Sequence, residues 1–139
     1  MSNTKKSINN KTDLEKDEYN IFKKFIREKL EKMIGQTVEV FVDRPKGSIH
    51  PRHQNIVYPI NYGYIKEIIA VDKEYQDAYI LGENKPIDYC KGIVYAVIER
   101  ENDIEDKLVI RTDDKEYSIE EIKKIVNFQE KYFKYKIYK

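Results

Sequence analysis

Ile65-Lys66-Glu67-Ile68-Ile69-Ala70-Val71-Asp72-Lys73-Glu74-Tyr75-Gln76-Asp77-Ala78-Tyr79-Ile80-Leu81 reads as an apolar run, an acidic turn and a second apolar run. Short apolar runs bounded by a polar turn predict two strands joined by a hairpin. The turn crowds Asp72, Glu74 and Asp77 into one short segment. Carboxylates so close repel one another unless a proton or a cation intervenes. Hard cations such as magnesium take oxygen ligands of this kind. A solvated loop is the commoner use of a charged turn, so the surrounding chain decides between the two.

Just upstream, Ile56 to Ile65 carries Tyr58, Tyr62 and Tyr64, with Pro59 and Gly63 shaping the backbone. Before it, Thr37-Val38-Glu39-Val40-Phe41-Val42 alternates at the strand period, and Pro45-Lys46-Gly47-Ser48 reads as a turn. Downstream, Ile93 to Ile98 and Lys107 to Arg111 read as strands separated by a charged loop, Glu99 to Asp106. Helices flank this core. Residues 1–11 are polar and read as a disordered tail. Thr12 and Glu15 match a capping box opening an added helix over 12–35, with Phe22, Phe25, Ile26, Leu30 and Met33 on one stripe for core packing. Ser118 and Glu121 match a second capping box, for a helix reaching about Phe133. Tyr135 to Lys139 reads as a fraying end. With no helix between strands, the order predicts a mainly β domain over 12–139, a small closed or partly closed antiparallel barrel of about five strands.

The chain has 139 residues, which suits a single domain, and charged residues make up 37% of it. Lys plus Arg number 26 and Asp plus Glu 25, so no overall field draws the chain to nucleic acid or an anionic membrane. One cysteine, Cys90, permits no internal disulfide and points to a reducing compartment. No apolar run approaches membrane-spanning length and the first residues lack an apolar signal core, so the expected location is the cytoplasm.

A second acidic cluster, Glu101, Asp103, Glu105 and Asp106, also lies between strands. Two such loops at one end of a barrel could share magnesium ions, clamp an oxygen-rich substrate and acidify a bound water. An uncoordinated carboxylate could then take the water's proton. Lys46, Arg52 and Lys107 are cations suited to phosphate oxygens. Tyr58, Tyr62 and Tyr132 carry hydroxyls suited to the same oxygens, though a tyrosine is as readily a core residue with its hydroxyl turned out. His50 and His53 have an H-x-x-H spacing, but in a loop and without a third zinc-type ligand. Neither G-x-x-x-x-G-K-[ST] nor G-x-G-x-x-G occurs.

The stretch Tyr58-Pro59-Ile60-Asn61-Tyr62-Gly63-Tyr64-Ile65, followed by Asp72-Lys73-Glu74-Tyr75-Gln76-Asp77, resembles the soluble family I inorganic pyrophosphatases, whose hallmark is Y-P-x-N-Y-G-[FY]-I and then D-x-D-P-x-D. The likeness spans about Thr37 to Tyr132 and is nearest to a short, pyrophosphatase-like branch. It implies an OB-type barrel with flanking helices and magnesium-dependent hydrolysis of pyrophosphate to two phosphates. By position it implies Asp72 and Asp77 as metal ligands, Glu74 as the base toward a metal-bound water, and Asp103, Asp106 and Asp43 as further metal ligands. Lys107, Arg52, Tyr62 and Tyr132 would bind phosphate, with Lys46 beside them. The chain departs from the pattern at Glu74, where the family has Asp, at Tyr75, where it has Pro, and at Phe133, where it has a phosphate-binding Lys.

The expected function is therefore a cytoplasmic inorganic pyrophosphatase using Mg2+, with no nucleic-acid or membrane partner; a homo-oligomer is compatible with it. Two alternatives stand beside it. One is hydrolysis of a nucleotide-type phosphoanhydride. The other is a catalytically weak OB-type binding module, whose tyrosines would serve as stacking platforms.

Overall fold

The computed structural model describes the backbone of residues 2–139 and the side chains from Glu15 onward. Its elements are α1 (Ser2–Glu31), β1 (Thr37–Arg44), β2 (Tyr62–Ile69), β3 (Tyr75–Leu81), β4 (Tyr89–Arg100), β5 (Lys107–Arg111), α2 (Ile119–Glu130) and β6 (Tyr135–Tyr138). The strand order is β1-β2-β3-β5-β4-β6, and an added β1–β4 pairing closes five strands into a barrel. One pairing, β3 with β5, is parallel, so the barrel is mixed rather than wholly antiparallel. Strand β4 makes the closure possible by its length. Its first half pairs with β1, its middle with β5 and its end with β6.

Most barrel strands are apolar on both faces because both are covered. Ile80, Val94, Val97, Leu108 and Ile110 fill the barrel with Val38, Val40, Ile65 and Ala78. Tyr79, Leu81, Ala96, Ile98 and Val109 point the other way, onto Ile122 and Val126 of α2. Two-sided burial explains why these strands read as continuous apolar runs. The Ser118 capping box is formed, its hydroxyl accepting from the Glu121 amide while Glu121 accepts from the Ser118 amide.

Three local expectations change. The helix α1 begins at Ser2, so Thr12 stands inside it rather than at its start. The tail expected over 1–11, and Thr12 of the first capping box, fall on positions whose side chains lie outside the described residues. The apolar stripe of α1 also divides. Ile26 and Leu30 are buried, Phe22 and Phe25 are exposed, and Lys23 is buried in their place. Lastly, Tyr135 to Tyr138 do not fray. They form β6, because β4 extends past β1 and leaves an edge to pair.

The tyrosine stretch has structural reasons for its spelling. A Cβ on Gly63 would sit 2.0 Å from the Phe41 carbonyl oxygen, so only glycine lets β1 and β2 cross there. Asn61 is fully buried and sews loops together. Its Oδ1 accepts from the amides of Lys46 (2.9 Å) and Ile87 (3.3 Å), and its Nδ2 donates to the Lys85 carbonyl (2.9 Å).

Candidate active site

The acidic turn is a short hairpin tip. The Ala70 amide donates to the Glu74 carbonyl at 2.8 Å, and Lys73 takes a left-handed φ of 69°. Asp72 Oδ1 accepts the Glu74 amide at 3.1 Å, which braces the reversal. The turn borders a cavity of about 1170 Å3, and Asp43, Asp72, Glu74 and Asp77 all line it.

Topology brings the second acidic loop to the same cavity. The parallel register sets Ala78 against Leu108, which places Asp77 beside Lys107. Lys107 Nζ donates to Asp77 Oδ2 at 2.8 Å. Gln76 Nε2 donates to the Asp106 carbonyl at 2.7 Å and ties the two loops together. Within the loop the carboxylates diverge. Glu105 lines the cavity, its Oε2 3.6 Å from Lys107 Nζ and 4.0 Å from Arg100 Nη1. Burial, with the charges of Asp72 and Asp103, raises the Glu105 pKa against the opposing pull of Lys107. Asp106 also lines the cavity but is buried, its Oδ1 accepting from the Arg100 amide and from Lys23 Nζ of α1. Its Oδ2 is buried without a partner. Asp103 braces its own loop by accepting the Ile104 amide at 2.7 Å, lies 3.3 Å from Arg100 Nη1, and is not on the cavity wall.

Two cations that the sequence reading passed over stand in the cavity, Arg44 and Arg100. A buried chain of hydrogen bonds joins them. Arg44 Nη1 donates to the Tyr58 hydroxyl (2.6 Å), which donates to Gln129 Oε1 (2.8 Å). Gln129 Nε2 donates to the Tyr79 hydroxyl (2.8 Å), which donates to Glu130 Oε2 (2.6 Å). Arg100 grips Glu130 with both edges of its fork, Nε to Oε1 at 2.9 Å and Nη2 to Oε2 at 2.7 Å. Burial works against the Arg100 charge, but the bonds to Glu130 overcome it and hold its pKa above the ordinary arginine value. Phe133 covers the outer side, its ring centroid 3.7 Å from Arg100 Cζ.

Other expected residues distribute as follows. Arg52, Tyr62 and Tyr132 line the cavity, Tyr132 exposed and Tyr62 buried. Burial above all, then the charge of Asp77 and a hydrogen bond to it, raises the Tyr62 pKa well above its usual value. Lys46 belongs to a separate recess, where its Nζ donates to the Asn84 carbonyl at 3.1 Å. His50 and His53 border the main cavity with rings 4.9 Å apart, and burial lowers the His50 pKa with help from Arg44 and His53.

A cluster of several divalent ions does not fit this donor set. Among the described residues no group of three or more His, Cys, Asp or Glu side chains is arranged to hold a metal ion. Asp77, Asp103 and Asp106 are each paired with a cation of the chain itself. Glu105 is paired in the same way, 3.6 Å from Lys107 Nζ and 4.0 Å from Arg100 Nη1, which leaves Asp43, Asp72 and Glu74 on the cavity wall without an ion pair among the described residues.

The barrel has counterparts of known structure. Inorganic pyrophosphatase from Ehrlichia chaffeensis is similar with a TM-score of 0.58 at 14% identity, over 76% of this chain and 86% of that one. That from Coxiella burnetii gives 0.52 at 16% identity, over 71% and 78% of the two chains. That from Neisseria gonorrhoeae gives 0.50 at 21% identity, over 68% and 72%. The fold is that of bacterial inorganic pyrophosphatases. No protein-family model matches the chain, and no curated protein does. Identities this low carry the fold and not the chemistry. No described helix is long and apolar enough to cross a membrane.

Proposed function

We propose that the chain hydrolyses inorganic pyrophosphate to two phosphates with the help of magnesium. One observation carries the reading. A single cavity is lined by Asp72, Glu74, Asp77 and Glu105 and by Arg44, Arg52, Arg100 and Lys107. Oxygen donors for a hard cation thus share one cavity with donors for phosphate oxygens, the two requirements of phosphoryl transfer. The pyrophosphatase fold supports it.

Asp43 and Asp72 are the residues that would hold magnesium, which when bound neutralises substrate charge and lowers the pKa of a coordinated water. Glu74, on the cavity wall with no ion-pair partner among the described residues, takes the proton of the attacking water. Arg52 and Lys107 bind phosphoryl oxygens, Arg through a planar fork and Lys as a point charge. Arg44 and Arg100 arrive already oriented by the buried chain between them, so little reorganisation is needed as charge moves to the leaving phosphate. Tyr132 donates a hydroxyl hydrogen bond at the exposed rim of the pocket, and Tyr62 does so from its buried wall.

A second reading, hydrolysis of a nucleotide-type phosphoanhydride, has its own observation. Tyr64 and Tyr75 stack at 5.5 Å with planes 11° apart, and both border the cavity. Such a pair suits a planar base next to a phosphate site. Phosphate release from pyrophosphate and from a panel of nucleoside di- and triphosphates, each with magnesium, separates the two. Faster release from pyrophosphate supports the first reading, and faster release from a nucleotide overturns it in favour of the second.

A further inference from the structure

The helix α1 is held to the barrel along one side and bare along another. Ile26 and Leu30 enter the core, Lys23 reaches Asp106, and Arg27 Nη1 donates to the Tyr138 hydroxyl at 3.2 Å. These anchors fix which side of the helix faces outward. On that side Ile21, Phe22 and Phe25 are 70%, 44% and 66% exposed. Large apolar side chains grouped on one face, with charges around them, mark an interaction surface.

The charges around the patch are sorted by sign. Glu15 and Glu18 precede it, Lys29 and Lys32 follow it, and all are exposed. Lys32 continues the last turn, its amide donating to the Glu28 carbonyl at 3.2 Å. Glu15, Glu18, Phe22, Phe25, Lys29 and Lys32 stand alternately three and four residues apart, which sets them on one stripe of the helix. The ion pairs of α1 use Lys23, Lys24, Arg27, Glu28 and Glu31, and the charges of the stripe take part in none among the described residues.

The stripe therefore runs acid, acid, ring, ring, base, base, and is its own complement when reversed. Place a twofold axis between Phe22 and Phe25 and lay a second α1 antiparallel across the first. Phe22 then meets Phe25 of the second copy, Glu18 meets Lys29, and Glu15 meets Lys32. A parallel arrangement would set glutamate on glutamate and lysine on lysine, which charge repulsion opposes.

We infer that α1 is the interface of a homodimer, in which a second copy of this chain lies antiparallel across Ile21, Phe22 and Phe25. Such a contact uses the same patch on both copies and closes on itself. It stands independently of the proposed hydrolysis.

Sedimentation velocity of the full chain over a range of concentrations tests it. A dimer that dissociates on dilution is expected, and Phe25→Glu should abolish it. Glu18→Lys and Lys29→Glu should each weaken it by about tenfold or more, since like charges then meet on both sides of the axis. Combining the two substitutions should restore the dimer, because antiparallel helices again oppose unlike charges. The substituted side chains are exposed, so each variant should keep the wild-type circular dichroism spectrum. A monomer at every concentration, which would leave the patch to a different partner, would overturn the inference. So would a dimer that survives Phe25→Glu, or a double variant no tighter than the single ones.

Discussion

Lys23 of α1 donates to Asp106 of the β4–β5 loop at 2.5 Å, and neither side chain reaches solvent. A helix that reads as an appendage is thereby fastened to the site's second loop. Burying two charges is costly, and removing one partner leaves the other unmatched. Lys23→Met should therefore destabilise the fold by about 3–5 kcal/mol, with Lys23→Arg losing less. Urea unfolding of both variants checks this. A loss in Lys23→Met below about 1 kcal/mol, the range of a surface pair, would show that the contact does not fasten the helix.

Arg100 and Glu130 form the second buried pair, Glu130 fully enclosed and Arg100 at the cavity wall. Glu130→Gln keeps the shape but strands the guanidinium, at an expected cost of about 3 kcal/mol or more. The double variant Arg100→Met with Glu130→Leu should recover much of that loss, since apolar replacement of a buried pair is often neutral. A thermal-unfolding cycle of the single and double variants reads the coupling. Additive losses would argue that the pair is not a unit.

Gly63→Ala places a methyl on the Phe41 carbonyl, in conflict with backbone rather than with a movable side chain. The strands must part, at an expected cost of about 3 kcal/mol, the upper range for overpacking. Its melting temperature should fall by more than that of Gly47→Ala, where open space surrounds the position and only the left-handed φ of 91° is at stake.

Cys90 has its thiol pushed up to about 11, by burial first and then by the charge of Glu83. Alkylation by iodoacetamide at pH 8 should be about a hundredfold slower in the folded chain than in urea, because the thiolate is the reactive form. The linkage has a definite sign. The unfolded thiol ionises first, so this group's contribution to stability is intact below about pH 8.5 and is lost as pH rises toward 11. Equal rates in folded and unfolded protein would mean that the thiol is not shielded.

What the sequence disclosed was local or strongly spelled. Ser118 and Glu121 announce a helix start through neighbours alone, and the structure has that cap. Gly63 and Asn61 sit in a stretch whose order names a barrel, and each proves to answer a steric or hydrogen-bonding demand. What it concealed depends on residues far apart. Nothing in Glu101 to Asp106 shows that Glu105 stays exposed while Asp106 is buried, because Lys23 and the Arg100 amide decide it. Arg100 reads as one more charge in a charged loop until Glu130 and Phe133 enclose it. Lys23 reads as a polar interruption of an apolar stripe, and only its distant partner explains its burial. The parallel β3–β5 pairing was likewise invisible, since it joins two strands that the whole of β4 separates along the chain.

If the cavity between the two acidic loops hydrolyses pyrophosphate, the purified chain releases phosphate from magnesium pyrophosphate, and Glu74→Gln measured alongside does so far more slowly. Release should stand well above the uncatalysed background, depend on magnesium and fall about 100-fold or more in Glu74→Gln, the scale of a lost general base. Release no faster than background from correctly folded wild-type protein, or an undiminished rate in Glu74→Gln, would contradict it.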